Sequence, residues 1–335
     1  MYLKHSALLC IALVGLIGCE KKQEPSSSVA TNVASVAAES TSVAEEEPVC
    51  GAAPTGRLVA ERLFTANSTR TEPGLYEGPV WIDGSLYFSD FTFSEGFPSR
   101  IQRFDSHSVL STFLEDSGSN GLAVDGQGSL VAGTHKYKSV SRYNLTTGEH
   151  SSVAEQYNNN VFNSPNDLTI AQDGTVYFTD PSFQRDAAPG GQDKTRVYRV
   201  ATDGAVSVVD DTLSNPNGIS LSPAGDVLYV NGNGEQGVLR AYPIVDGIPQ
   251  AGKDIVTRLT YADGMAVDCH GNIYVTEHTM KRVRVFTPEG KVLGSIKVDA
   301  NVTNVAFGGE KGKTLFITGA GALWKVELQV TGSAY

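Results

Sequence analysis

From about residue 75 onward the chain repeats one pattern: a polar residue, a short apolar run, a glycine-containing turn and a second β-rich run. Short apolar or alternating runs bounded by Gly, Asp and Asn read as strands and tight turns, not helices. The first copy runs Glu77-Gly78-Pro79-Val80-Trp81, turns at Asp83-Gly84 and returns as Leu86-Tyr87-Phe88-Ser89-Asp90. The others open at Asn120-Gly121-Leu122, Asn166-Asp167-Leu168, Asn217-Gly218-Ile219, Asp263-Gly264-Met265 and Asn304-Val305-Ala306, each followed by its own turn and return run. The leading polar residues are 41 to 51 positions apart, which matches the roughly 40–50 residues of a four-stranded propeller blade. Arg196–Val200 and Arg282–Phe286 supply outer strands. The pattern predicts an all-β fold, a six-bladed β-propeller over residues 57–335. A strand near Leu58–Leu63 should close the ring against the last blade at Leu323-Trp324-Lys325-Val326. Six near-even hairpins fit a β-sandwich poorly.

The N-terminal segment breaks the pattern. Lys4 precedes an apolar stretch, Ala7 to Ile17, that is short for a membrane span, and it ends Leu16-Ile17-Gly18-Cys19. This resembles a bacterial lipobox, in which the Cys is acylated and becomes the mature N-terminus. Residues 1–19 are thus expected to be a lipoprotein signal peptide, with Cys19 the lipidation site. Glu20, not Asp, follows, which favours the outer membrane within a periplasmic or cell-envelope location. Residues 20–56 are rich in Ser, Ala, Val, Glu and Thr with no aromatic residue, so they read as a flexible linker. Of four cysteines, Cys10 leaves with the signal and Cys19 carries lipid. Cys50 and Cys269 remain as a disulfide or as two free thiols. Membrane contact is expected only through the anchor, and the domain is expected to be a monomer.

Charge narrows the partners. The 335 residues carry a formal net charge of −11, and nucleic-acid affinity needs clustered Lys and Arg, so nucleic acid is excluded as a partner.

Propeller geometry then gathers a site. The first strand of each blade lines the central channel, so Glu77, Asn120, Asn166, Asn217, Asp263 and Asn304 should meet at one mouth. The set holds two carboxylates and four amides, with neither Cys nor His. Oxygen-only donors suit a hard divalent cation, Ca²⁺ before Zn²⁺. Asn-Gly and Asp-Gly are also common turn dipeptides because both residues tolerate positive φ; six at one level in the repeat are harder to assign to turns. The antiparallel return strands bring Asp90, Thr134-His135, Asp180, Asn231 and Glu277-His278 to the same face. His135 and His278 both lie seven residues beyond a turn glycine, so they are equivalent candidates to act on a substrate or an attacking water. Each could equally be a packing imidazole.

These residues resemble the SMP-30/gluconolactonase/LRE-like family. The resemblance rests on Glu77-Gly78-Pro79-Val80-Trp81 with Phe88-Ser89-Asp90, Ser119-Asn120-Gly121-Leu122, Asn163-Ser164-Pro165-Asn166-Asp167 with Phe178-Thr179-Asp180-Pro181, Pro216-Asn217-Gly218, Asp263-Gly264-Met265 and Phe307-Gly308-Gly309. It spans roughly residues 58–327. It implies a divalent cation held by Glu77, Asn166, Asn217 and Asp263, hydrolysis of a sugar lactone such as glucono-1,5-lactone, and Asp263 as general base; by their placement, His135 and His278 stand in reserve for that role. Asn120, Asp180 and Asn304 are the candidate substrate contacts. Animal members carry Arg two residues before the position of Asn166, where this chain has Ser164. The alternatives are a non-catalytic propeller that binds a sugar or protein, or a hydrolase of other esters or organophosphates. There is no Gly-x-Ser-x-Gly elbow and no His-Glu-x-x-His motif in the sequence. Gly232-Asn233-Gly234-Glu235-Gln236-Gly237 matches a dinucleotide fingerprint but precedes a strand, so it reads as a hairpin loop.

Overall fold

A computed structural model describes residues 50–63 and 74–333. The signal segment, Cys19 and residues 20–49 of the expected linker lie outside the described residues. Six antiparallel sheets follow one another as blades. Their inner strands are Gly74–Ile82, Ser119–Val124, Leu168–Ile170, Pro216–Leu221, Ala262–Val267 and Val302–Gly308. In every blade the inner strand pairs with the next strand in sequence. The sole helical element among the described residues is a 3₁₀ turn, Arg185–Ala187. The Gly232–Gly237 segment joins Val227–Gly232 to Gly237–Val245 as a hairpin loop.

Closure uses the N-terminal strand. Blade 6 owns three strands and takes Glu61–Leu63 as its fourth, with Arg62 opposite Trp324. Asp299 ties the joint: it accepts from Trp324 Nε1 at 2.8 Å and from Arg62 Nη2 at 2.8 Å, while the guanidinium lies 4.8 Å above the indole. The preceding strand, Gly56–Val59, pairs in parallel with the outer strand of blade 5. The propeller's contacts begin earlier still. Cys50 is disulfide-bonded to Cys269 in the turn of blade 5, and Gly51 accepts a bond from His270 Nε2 at 2.8 Å. Residues 50–56 therefore belong to the propeller and not to a flexible linker.

Neighbouring blades share apolar clusters. Tyr274, Val283 and Ile296 of blade 5 pack with Val305, Leu315 and Trp324 of blade 6, each worth about 1.5–3 kcal/mol when buried. The inner strands enclose an axial cavity of about 260 Å³, lined by Val80, Leu122, Ile170, Met265 and Val305, with Asp167 and Asn304 also on its wall.

Candidate metal centre and active site

The polar openings sit on one backbone device repeated around the ring. In blades 1, 2, 4, 5 and 6 the pairing of the inner strand slips at the polar residue, so two residues oppose one. Such a bulge re-aims side chains and is common beside active sites. Asn120-Gly121, Asn217-Gly218 and Asp263-Gly264 are the bulged pairs of blades 2, 4 and 5, and Thr303-Asn304 is that of blade 6. Asn166-Asp167 takes this place in blade 3, where both face Thr179: Asn166 N donates to its carbonyl and Asp167 O accepts from its amide, each at 2.9 Å. The six leading residues are therefore not at one level. Glu77 stands one residue before its bulge, opposite Ser89. Asn304 is the second residue of its bulge, level with Asp167, and Thr303 holds the leading place.

The glycines explain the Asn-Gly and Asp-Gly signature. Gly121, Gly218 and Gly264 do not adopt positive φ, so turn formation is not their reason. A Cβ on Gly218 would lie 2.3 Å from the Asp263 carbonyl oxygen, and one on Gly264 would lie 2.0 Å from Asn304 Oδ1. Only glycine allows adjacent blades to approach this closely at the axis.

The bulges bring Glu77, Asp167, Asn217, Asp263 and Asn304 together. Asn304 Nδ2 donates to Asp167 Oδ2 at 3.2 Å and its amide also bonds Glu77, while the Asn217 amide bonds Asp263. Burial, then repulsion from Asp263 and Asp167, pushes the Glu77 carboxyl well above its ordinary range. Burial, then repulsion from Asp167, does the same to Asp263. Burial lifts Asp167 to about 7. Among the described residues, no Lys or Arg forms an ion pair with any of the three. Buried carboxylates without a positive partner are costly, and a divalent cation is the partner their chemistry fits. Among the described residues no three His, Cys, Asp or Glu side chains form a ligand group, so a cation here draws on amide as well as carboxylate oxygens. Asn120 Oδ1 is likewise buried with no hydrogen-bond partner among the described residues. Asn166 is buried too.

The two histidines part company. His278 Nδ1 lies 2.7 Å from the Val302 carbonyl and 3.6 Å from Asp263 Oδ2. A carbonyl only accepts, so Nδ1 carries the proton and Nε2 is free to accept from Asn301 Nδ2 at 3.3 Å. His135 is wholly buried. Its Nε2 donates to the Phe97 carbonyl at 2.7 Å, it packs against Phe91 and Phe97, and burial lowers its pKa to about 4. Among the described residues it has no hydrogen bond to the carboxylates. Asp180 is also turned inward, not toward a substrate: its oxygens accept the Asn163 and Ser164 amides at 2.9 and 2.8 Å, fixing the Asn163–Asn166 segment. Ser164, where animal members have Arg, donates its hydroxyl to the Pro181 carbonyl.

Three residues beyond the sequence-derived site list join the site. Asp167 was visible as the second half of Asn166-Asp167, but its level with Asn304 depends on the bulge. Asn301 precedes the inner strand of blade 6. Gln184, from the connection after Asp180, accepts from Asn120 Nδ2 at 3.4 Å; no periodic signal marks it.

Comparison with known proteins agrees with this architecture. The family model described as SMP-30/gluconolactonase/LRE-like region matches residues 75–321. Gluconolactonase of Zymomonas mobilis is 28% identical over 292 residues, covering 76% of this chain and 79% of that protein. Pentonolactonase XacC of Haloferax volcanii is 29% identical over 259 residues, covering 74% and 82%. The solved structure of XC5397 from Xanthomonas campestris, described as a gluconolactonase, superposes with a TM-score of 0.69 at 27% identity, covering 83% of this chain and 100% of that one. The chain belongs to the SMP-30/gluconolactonase/LRE-like family.

Proposed function

We propose that the protein is a lactonase that hydrolyses the ester bond of sugar lactones such as glucono-1,5-lactone, using a divalent cation, Ca²⁺, held by Glu77, Asn166, Asn217 and Asp263. The observation that carries this reading is that Glu77, Asp167 and Asp263 are buried near enough to repel one another, beside amide side chains and, among the described residues, with no paired Lys or Arg. A hard cation of six to eight oxygen ligands suits such a set. The gluconolactonase and pentonolactonase relatives support the substrate class.

When bound, such an ion supplies Lewis acidity to the ester carbonyl and to the negative charge that develops on it. Asp263 takes a proton from the attacking water as its oxygen bonds the carbonyl carbon. The ring C–O bond then breaks, and the proton passes to the departing alkoxide, leaving a hydroxy acid. His278 has Nδ1 bonded to the Val302 carbonyl and Nε2 engaged by Asn301, so it packs beside Asp263 without competing as a base. Asn304 holds Glu77 and Asp167 apart through its amide. Asn120 and Gln184 offer amide contacts to sugar hydroxyls. We place the protein in the bacterial envelope, anchored through Cys19; the Cys50–Cys269 bond supports an oxidising compartment.

The test is proton release from glucono-1,5-lactone with and without added Ca²⁺, measured above spontaneous opening, alongside a small lactone and aryl-ester panel. Acceleration that chelator removes is expected. Rates equal to the spontaneous background at saturating Ca²⁺ contradict the reading.

A further inference from the structure

In three blades the residue opposite the opening polar pair does a second task. In blade 3 it is Thr179, whose hydroxyl donates to the carbonyl of Asn217 in blade 4 at 2.8 Å. In blade 5 it is Thr276, which reaches the Thr303 carbonyl of blade 6 at 2.6 Å. In blade 4 it is Asn231, wholly buried, whose Nδ2 donates to the Asp263 carbonyl of blade 5 at 2.5 Å. Each donor fixes the leading bulge residue of the next blade. Asn231 alone among these three fixes a carboxylate-bearing residue, and it uses an amide where its counterparts use Thr. Its Oδ1 is buried with no partner among the described residues. Gly218 leaves room for the contact, since a Cβ there would lie 2.6 Å from Asn231 Nδ2.

We infer that Asn231 is a positioning residue for Asp263: it clamps the Asp263 backbone across the boundary between blades 4 and 5 and so aims the carboxylate at the cation and the attacking water. This rests on the proposed role of Asp263. Partners that hold a metal-ligating group in place are worth about 10–100-fold in metal affinity or activity.

Asn231→Thr and Asn231→Val form the test, since the two side chains match in shape and only Thr can donate. Ca²⁺ affinity by titration calorimetry, kcat and KM on glucono-1,5-lactone, and Tm are measured for each. The expected result is about a tenfold or greater weakening of Ca²⁺ binding and a matching fall in kcat for Asn231→Val, with KM within about twofold and Asn231→Thr close to wild type. Tyr143→Phe, which removes a buried hydroxyl bond to the Ser117 carbonyl, should lower Tm without moving Ca²⁺ affinity or kcat. If Asn231→Val does not fold, Asn231→Ala against Asn231→Ser gives the same contrast. Equal Ca²⁺ affinity for the Val and Thr variants overturns the inference whatever the turnover. A wild type that opens no lactone, with Ca²⁺ binding still lost in Asn231→Val, overturns the lactonase reading and leaves the clamp standing.

Discussion

Blades 2 and 5 each place a polar residue, a glycine and a histidine at the same points and use them differently. Each opens with a polar residue and glycine in a bulge, and each returns to a histidine at the same distance from its turn glycine. In blade 2 the opening residue is Asn120, and His135 faces inward with its proton on Nε2, bonded to Phe97. In blade 5 the opening residue is Asp263, and His278 carries its proton on Nδ1, bonded to the Val302 carbonyl, with Asp263 Oδ2 3.6 Å away. Equivalent position brings a side chain to a face. Its neighbours in the adjoining blade decide what it does there.

Substitutions can break that contrast. The largest expected effect is at Asp263: Asp263→Asn should leave the fold intact and lower kcat by about 10²–10³, the usual cost of one preorganised electrostatic group, whereas Asn120→Ala should act mainly on KM. Steady-state kinetics on a lactone check both. His278→Ala should cost about tenfold in kcat, the low end for a group that orients a ligand, while His135→Leu should change turnover per folded molecule less than twofold. His135→Leu should instead act on stability. The folded pKa of His135 is about 4, below its unfolded value of about 6.5, so the unfolded chain binds more protons between these values. Stability is therefore fully present above pH 6.5 and falls as pH drops toward 4, by up to about 3 kcal/mol. Urea melts at pH 7 and 4.5 should show this slope in wild type and its loss in the variant. The disulfide supplies a further contrast, since Cys269 lies in the blade 5 turn and the blade 2 turn, residues 125–129, has no cysteine. Cys269→Ser should lower stability by about 2–5 kcal/mol with little change in kcat, read from Tm and kinetics together.

Much of the fold was legible because a propeller repeats: Asn217-Gly218-Ile219 and Asp263-Gly264-Met265 announce the same strand 46 residues apart. The closing strand could be placed because a ring needs one, and Arg62 opposite Trp324 confirms it. The level of Glu77 and Asn304 was not legible. A bulge adds one residue without changing composition, so the register of the leading residues could not be read from the polar-apolar pattern. The opposite orientations of His135 and His278 are set by Phe97 and by Val302 with Asn301, residues remote in sequence from each histidine. The pairing of Gly56–Val59 with blade 5 rests on backbone hydrogen bonds, and its sequence, Gly-Arg-Leu-Val, carries no signal for that partner.

Calcium titration of chelator-stripped protein, wild type beside Glu77→Gln, tests the central claim most directly. Glu77 enters from a different level of the ring than Asp263, so its loss asks whether the dispersed openings act as one ligand set. One Ca²⁺ per chain with binding weakened about tenfold or more in Glu77→Gln is the predicted result. Wild-type affinity and stoichiometry in Glu77→Gln, or no Ca²⁺ binding to the wild type, would contradict it.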